Sequence, residues 1–428
     1  MTTLNAGQQA AADGIFDFLL GNEKELVISG PGGTGKTHLM GHIIDEVLPM
    51  YHKTCSMMNM PPLYRDVYMT ATTNKAADVL GSSTGRPTST IYSLMNLKVE
   101  QNLNNGSQRV TKTKSWMVHR NKIIFVDEAS FEDSVLRNYI LEGTNNCKII
   151  HVGDHCQLAP IMEQKPPVFS AGLPFYELTE QMRTSDANLQ GLNQQLRRTV
   201  ETGEFLPIQH VPGVIDWVTD EDEMQALVEE HFVDSHHNSR LLAYTNDRVN
   251  LYNGFIRDFR QLPTCPVEGD ILVCNSAIQL NTVQKSIPTE TQLEIEKIHS
   301  QYKVTISPDV ELDVLLVNAR SQYALYENLE IPVDREHFNA LTKWYAGEKN
   351  WERYFYLKNT FPDLRPADAC TTHKAQGSTF DTVFIDMGDM SNCRNPDTAA
   401  RLLYVAASRA RKRVIMFGHL AQKFGGII

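Results

Sequence analysis

The chain has 428 residues, 42% of them hydrophobic and 21% charged, and its 40 basic and 51 acidic side chains leave a formal net charge of −11. That length predicts about three domains with cores of their own, so the seven cysteines, none in a Cys-x-x-Cys pair, need be neither disulfide staples nor zinc ligands. No signal peptide is visible and no apolar run approaches the ~20 residues of a bilayer span, so a reducing, aqueous compartment is expected, and the acidity taken alone counts against a nucleic-acid partner.

The first apolar β-type run, Leu26–Ser29, leads into Gly30-Pro-Gly-Gly-Thr-Gly35-Lys36-Thr37, a full G-x-x-x-x-G-K-[ST] match. Glycines at 30, 32, 33 and 35, with Thr34 between, let backbone N–H groups converge on phosphate oxygens at the positive end of a helix. Lys36 then reaches the β- and γ-phosphates, and the Thr37 hydroxyl ligates Mg²⁺. After Thr37, residues Leu39, Met40, Ile43, Ile44, Val47 and Leu48 form the apolar stripe of an amphipathic helix. Further strand-like runs follow at Val67–Ala71, Ile123–Val126, Ile149–Val152, Leu241–Tyr244, Val383–Ile385 and Val414–Phe417. Several lack period-2 alternation, as strands buried on both faces do. Alternation of such runs with helical stretches predicts α/β layers, with two separate sheets. The run Ile123–Val126 ends in Asp127-Glu128, where an open parallel sheet builds its site. Asp127 is expected to hold Mg²⁺ and Glu128 to polarise the attacking water. Together these motifs predict hydrolysis of a nucleoside triphosphate, with ATP and Mg²⁺ as cofactors.

Two segments depart from this pattern. Between Lys98 and Lys122 six basic residues accompany one acidic, and Asn104-Asn105-Gly106 is a hairpin-turn signal between alternating apolar positions. Its tip is polar, and the apolar side chains Val110 and Trp116 follow it. From Leu262 to Arg365 the sequence reads as a β-rich insertion, with strand-like runs at Asp270–Cys274, Val304–Ile306 and Val310–Val317. Aromatic-rich stretches at Lys343–Tyr345 and Trp351–Tyr356 lie within it.

A further set of motifs carries a resemblance. Gly153-Asp154-His-Cys-Gln157-Leu-Ala-Pro160 resembles the GDxxQLxP motif of superfamily 1 helicases, and Leu4-Asn5-Ala-Gly-Gln8 resembles their adenine-reading Q motif. Thr70 to Leu80, Ser89 to Ser93, Leu178 to Arg183, Ala243 to Asn246 with Val249 and Asn253, Thr371 to Ser378 and Leu402 to Arg411 resemble the family's remaining motifs, in the family's order. The pattern is similar to that of the 5′→3′ branch containing the Dda-, RecD- and Pif1-type enzymes. The resemblance implies an α/β fold with two RecA-like P-loop motor domains. Residues 1–177 would form the first, with a wedge hairpin at about 96–118; 178–261 and 366–428 would form the second, and 262–365 an SH3-like insertion.

The resemblance also implies roles. Gln8 would read adenine, Gln157 would sense the γ-phosphate, and Gln376 with Gly377 would do so from the second domain. Arg409 would be the arginine finger, with Arg183 its companion. Thr70, Thr72, Thr90, Tyr92, Thr371, Thr372, His373 and Lys374 would hold single-stranded DNA through hydroxyl, amide and stacking contacts. The implied activity is ATP-driven, 5′→3′ unwinding of fork DNA by a monomer in the cytoplasm, the host's if the source is viral. Single-stranded-DNA-binding or replication proteins are candidate partners. A translocase that displaces bound proteins and unwinds weakly, and a nucleotide-switched DNA-binding module, are the alternatives. Eight acidic residues between Asp216 and Asp234 carry much of the net charge, so a motor that holds DNA loosely, with a shallow salt dependence, is compatible with the composition.

Overall fold

A computed structural model describes residues 4–103, 108–160, 163, 165–180, 186–279, 286–322 and 324–428. Three main sheets organise it. The first is six-stranded and parallel, in the order Phe175–Glu177, Glu25–Ser29, Lys148–Gly153, Lys122–Asp127, Asp66–Ala71 and Thr88–Thr90. The second, five-stranded and also parallel, runs Ile215–Val218, Ala410–Phe417, Phe380–Asp386, Ser239–Ala243 and Ala369–Thr371. All seven strand-like runs of the α/β reading fall in these two sheets, Tyr244 lying one residue beyond its strand. Their central strands are apolar throughout because helices cover both faces; Ile123, Ile124, Phe125 and Val126 are all buried. The strands not expected from the sequence, such as Thr88–Thr90 and Phe175–Glu177, are short edges whose side chains stay partly exposed.

The helix after the glycine loop carries the expected stripe, with Leu39, Met40, Ile43, Val47 and Leu48 buried against the first sheet. It is not uniform, since a π-helical turn at Ile43–Val47 separates Lys36–His42 from Leu48–Met57. Pro49 accounts for this: it has no N–H to donate, and its ring would strike the carbonyl four residues back, at Asp45. At the other end of this unit, Leu178 packs in the first core and donates its N–H to the Ser29 carbonyl at 2.7 Å. It therefore lies with the first sheet, not with the second motor domain as expected. The helix Ala187–Thr202 packs with the second core.

The third sheet is antiparallel, in the order Leu325–Pro332, Val310–Arg320, Gln292–Ser307, Ile271–Cys274 and Leu364–Pro366. It lies in the segment read as β-rich, with one departure from that reading. The aromatic-rich stretches are helices, Arg335–Gly347 and Trp351–Thr360, whose Phe338, Tyr345, Phe355 and Leu357 are buried. Trp344 and Tyr356 remain exposed.

The basic hairpin forms with Leu97–Gln101 against Gln108–Lys112, Val99 facing Val110. Its turn, Asn104-Asn105-Gly106, lies outside the described residues. Val110 and Trp116 are not at a tip: both pack at the base of the hairpin against the first domain, Trp116 edge-on to Tyr139 with Lys112 over its ring. Among the described residues of the segment, Val99, Leu103, Met117 and Val118 are the exposed apolar side chains, at 58%, 55%, 57% and 43% exposure. The Gln101 and Asn359 amides exchange two 3.0 Å hydrogen bonds, tying the hairpin to the inserted helix Trp351–Thr360. Much of the basic charge is neutralised where it stands, by pairs such as Lys98 and Arg109 with Glu100, Lys112 with Glu142 and Arg413 with Asp216. No helix among the described residues is long and apolar enough to cross a membrane.

Candidate active site

The glycine loop connects the Glu25–Ser29 strand to the helix beginning at Lys36. Gly30 has to be glycine because a Cβ there would lie 2.5 Å from the Leu178 carbonyl oxygen. Gly35 sits at φ +78°, in the left-handed region, and a Cβ on it would meet the Gln8 amide nitrogen at 2.4 Å. Gly32, Gly33 and Thr34 complete the curl. Lys36 Nζ donates to the Gly30 carbonyl at 2.7 Å and to that of Pro31 at 3.0 Å, so the lysine lies folded over its own loop. Thr37 follows in the first turn of the helix.

Gln8, the expected adenine reader, is engaged within the chain. Its Nε2 donates to the Thr34 carbonyl at 3.1 Å, and its Oε1 accepts from Asn5 N, closing a capping box at the first helix. The buried amide braces the loop.

Asp127 and Glu128 emerge at the end of the Lys122–Asp127 strand, beside the loop. Burial and the neighbouring Glu128 carboxylate push Asp127 up to about 7, against the opposing pull of Lys36. A half-buried carboxylate whose charge the protein leaves undercompensated suits a divalent cation, so Asp127 and Thr37 fit the Mg²⁺ role. Glu128 adopts φ +52° and ψ +43°, a left-handed conformation costing a non-glycine residue ~1–3 kcal/mol. Its backbone is held there on both sides: its N–H donates to Asp127 Oδ1 at 2.9 Å, and its carbonyl accepts from the Thr72 hydroxyl at 2.9 Å. The strain directs the carboxylate toward Gly377 of the second domain, where a Cβ would lie 3.8 Å from Glu128 Oε1.

The second domain closes on this edge. Gln376 Nε2 donates to the Ser130 hydroxyl at 3.0 Å, two residues beyond Glu128. The Oε1 atoms of Gln376 and Gln157 are buried with no hydrogen-bond partner. An unsatisfied buried acceptor costs ~1–3 kcal/mol, so two of them at one cleft mark a place for a donor such as water. Arg409 is fully buried and donates to the carbonyls of Val405 at 3.0 Å and Ser378 at 3.2 Å, and to the Ser408 hydroxyl at 2.8 Å. Burial lowers its affinity for a proton, with the Glu128 carboxylate acting in the opposite direction. The companion arginine, Arg183, lies outside the described residues.

The Gly153–Pro160 loop bridges the domains. Asp154 accepts from Arg197 and from the Tyr404 hydroxyl, both at 2.6 Å, and Arg401 donates to the carbonyls of His155 at 2.6 Å and Gln157 at 2.7 Å. Burial would raise the Asp154 carboxyl, but Arg197, Lys36 and the Tyr404 hydroxyl hold it down at about 2. Cys156 and Leu158 of the same loop pack in the core of the second domain. Sequence reasoning missed Arg197, Arg401, Tyr404 and Ser130 as site residues. The available signal was Tyr404 within the apolar run Leu402–Ala407, since a buried tyrosine needs a partner for its hydroxyl.

A buried ionic cluster supports the sheet beneath the site. His151 bridges Glu132 at 2.9 Å and Glu25 at 3.3 Å, and Arg137 pairs with Glu25. Burial alone would lower the imidazole's pKa, yet the two carboxylates raise it to about 9 from an ordinary 6.5. The proton bound by the folded state thus contributes stability that is complete below pH 6.5 and is lost as pH rises through about 9. An imidazole titration followed by NMR is expected to place His151 near the upper value, with denaturant stability falling across the same interval. A midpoint near 6.5 would contradict the charged bridge.

The DNA-contact candidates divide. Thr70 and Thr372 are corrections, since both are completely buried. The Thr70 hydroxyl donates to the Phe125 carbonyl at 2.6 Å and that of Thr372 faces the Ala243 carbonyl, so both hydroxyls are engaged by neighbouring strands. Thr72 is spent on Glu128. The Thr90 hydroxyl caps the short Ile91–Leu94 helix by accepting from Ser93 N. Tyr92 leans on the Ile91 and Ile124 core, and burial pushes its hydroxyl up to about 12. His373 is exposed. Thr371 and Lys374 line a cavity of about 700 Å³ that also receives Lys75, Arg240, Asn246 and Gln292, so both parallel-sheet domains and the inserted sheet form its walls. Across it Lys75 Nζ reaches the Ser378 hydroxyl at 2.6 Å.

A family profile described as an AAA domain matches residues 3–220, and one described as a UvrD-like helicase C-terminal domain matches residues 366–417. The chain is similar to the ATP-dependent DNA helicase dda of Enterobacteria phage T4, with 22% identity over 95% of this chain and 98% of that protein. It is also similar to an uncharacterised protein of Acanthamoeba polyphaga mimivirus, with 21% identity over 96% and 99%. Two solved structures share its fold along its whole length. One concerns unwinding of forked duplex DNA by two coordinating Pif1 helicases, with a TM-score of 0.54, 15% identity and 94% of that chain covered. The other is a Bacteroides Pif1 helicase with ADP-AlF3 and single-stranded DNA, with a TM-score of 0.53, 14% identity and 95% covered.

Proposed function

The chain belongs to the AAA-domain family of P-loop proteins and, within it, to the superfamily 1 helicases of the 5′→3′ branch typified by Dda and Pif1, and on that footing we propose how its residues divide the work. It is an ATP-hydrolysing DNA helicase. ATP with Mg²⁺ is bound at the cleft between the parallel sheets, where Lys36 exchanges the carbonyls of Gly30 and Pro31 for phosphate oxygens. Thr37 and Asp127 hold the cation, Glu128 takes the proton of the attacking water, and Gln157 and Gln376 orient that water. Arg409 leaves its own-domain acceptors to meet charge developing on the γ-phosphate.

The observation that carries this reading is the shared edge of the cleft. Glu128 faces Gly377 and Ser130 is bonded to Gln376, so a change at the nucleotide changes the fit of the two domains. The Asp154 cluster carries that change to the final helix, and single-stranded DNA lies along the cavity between Lys75 and Lys374. The hairpin presents Val99 and Leu103 as its apolar surface at the fork, which favours unwinding over protein displacement alone. Duplexes tailed at either the 5′ or the 3′ end test the polarity. The 5′-tailed substrate is expected to be unwound with ATP and Mg²⁺, and preference for the 3′ tail would overturn the assigned direction.

A further inference from the structure

The cavity assigned to single-stranded DNA contains a carboxylate that the motor mechanism does not use. Glu290 belongs to the turn entering the Gln292–Ser307 strand of the inserted sheet, and its backbone is left-handed, at φ +63°. The turn is fixed by its N–H, which donates to the Cys274 carbonyl at 2.8 Å. The side chain extends into the cavity, where Oε1 lies 3.4 Å from Lys374 Nζ. That oxygen is buried and makes no hydrogen bond, so the ion pair is loose and only half satisfied. Lys75 from the first domain and Arg240 from the second also feel its charge. One acidic side chain from the insertion therefore faces three cations drawn from both motor domains.

We propose that the Glu290 carboxylate stands in the place of a DNA phosphate between Lys75 and Lys374, and that single-stranded DNA must displace it to seat against these lysines. The inference rests on the helicase reading and adds a residue that sets how tightly the strand is held. The geometry suits a competitor that yields. A backbone phosphate offers oxygens to both lysines at once, whereas Glu290 reaches Lys374 at a distance too long for a good hydrogen bond. The strained backbone keeps the carboxylate in the path, and the missing hydrogen bond keeps its loss inexpensive. In the absence of DNA it neutralises a cluster of cations that would otherwise repel one another.

The test is binding of a fluorescein-labelled 15-mer of deoxythymidylate by anisotropy, across a salt series, to the full chain and to Glu290→Gln, Glu290→Ala and Lys374→Ala. Both Glu290 variants are expected to bind about tenfold more tightly at low salt, with a log–log salt slope close to the wild type's, because the same lysine–phosphate contacts form once the carboxylate has moved aside. In the Lys374→Ala background the gain should shrink, because the two side chains act as one unit. Matched thermal melts establish that the variants are folded, and the alanine variant covers the case in which the glutamine fits poorly. If the wild type binds the oligonucleotide and both folded Glu290 variants bind it equally or more weakly, the inference is wrong and the helicase reading stands. If no form binds it, the helicase reading falls and takes the inference with it.

Discussion

Glu128→Gln is expected to lower the rate of ATP hydrolysis by about 100- to 10,000-fold, the range typical for removal of a general base, while ATP and single-stranded DNA still bind. An amide of the same shape cannot accept the water's proton. The strained backbone at φ +52° should persist, because the bonds that hold it run through the main chain, to Asp127 Oδ1 and from Thr72. Glu128 is also one of the two causes that push Asp127 up to about 7. Its removal relieves a like-charge repulsion, so the variant should melt no lower than the wild type and bind nucleotide at least as well. Single-turnover hydrolysis with a parallel nucleotide titration checks both halves. Lost nucleotide binding would mean that Glu128 is a structural residue and that the water is activated elsewhere.

Arg409→Lys is expected to reduce turnover by about 1,000-fold, equivalent to roughly 4 kcal/mol of transition-state stabilisation, with little change in nucleotide affinity. The asymmetry follows from where the guanidinium rests. It donates to Val405, Ser378 and Ser408 within its own domain, so it contributes little to the ground-state complex and acts when the cleft closes. Lysine keeps the charge but not the planar fork, and so tests geometry separately from charge. A comparison of kcat with nucleotide Kd decides the matter. A matching loss in both would place Arg409 in ground-state binding, and an unchanged kcat would remove it from the chemistry.

The sequence made the motor legible where one residue type has one physical reason to be there. Gly30 and Gly35 sit where a Cβ would collide, Lys36 opens a helix, and the Asp127-Glu128 pair ends a buried strand. It misled where a side chain's partner depends on tertiary contact. Thr70 and Thr372 resemble ligand contacts, yet their hydroxyls serve carbonyls of neighbouring strands. Gln8 resembles a base reader, yet its amide is taken up by Asn5 and Thr34. The Asp154–Arg197–Tyr404 cluster was invisible for the same reason. Its members are 43 and 250 positions apart along the chain, and only packing of the Ala187–Thr202 and Pro396–Ala407 helices brings them together. The aromatic stretches of the insertion show how composition can mislead. Phe338, Tyr345 and Leu357 belong to amphipathic helices, and their spacing serves packing on one face of the sheet.

The central claim is that hydrolysis at the cleft is coupled to occupation of the cavity between Lys75 and Lys374. Steady-state ATP hydrolysis in the presence of Mg²⁺, measured with and without a single-stranded oligodeoxynucleotide, tests it most directly. The cross-domain bonds of Gln376, Arg401 and Tyr404 predict strong stimulation by DNA, saturating with the same concentration dependence as DNA binding. An equal rate with and without DNA, from a folded protein that binds both ligands, would contradict it.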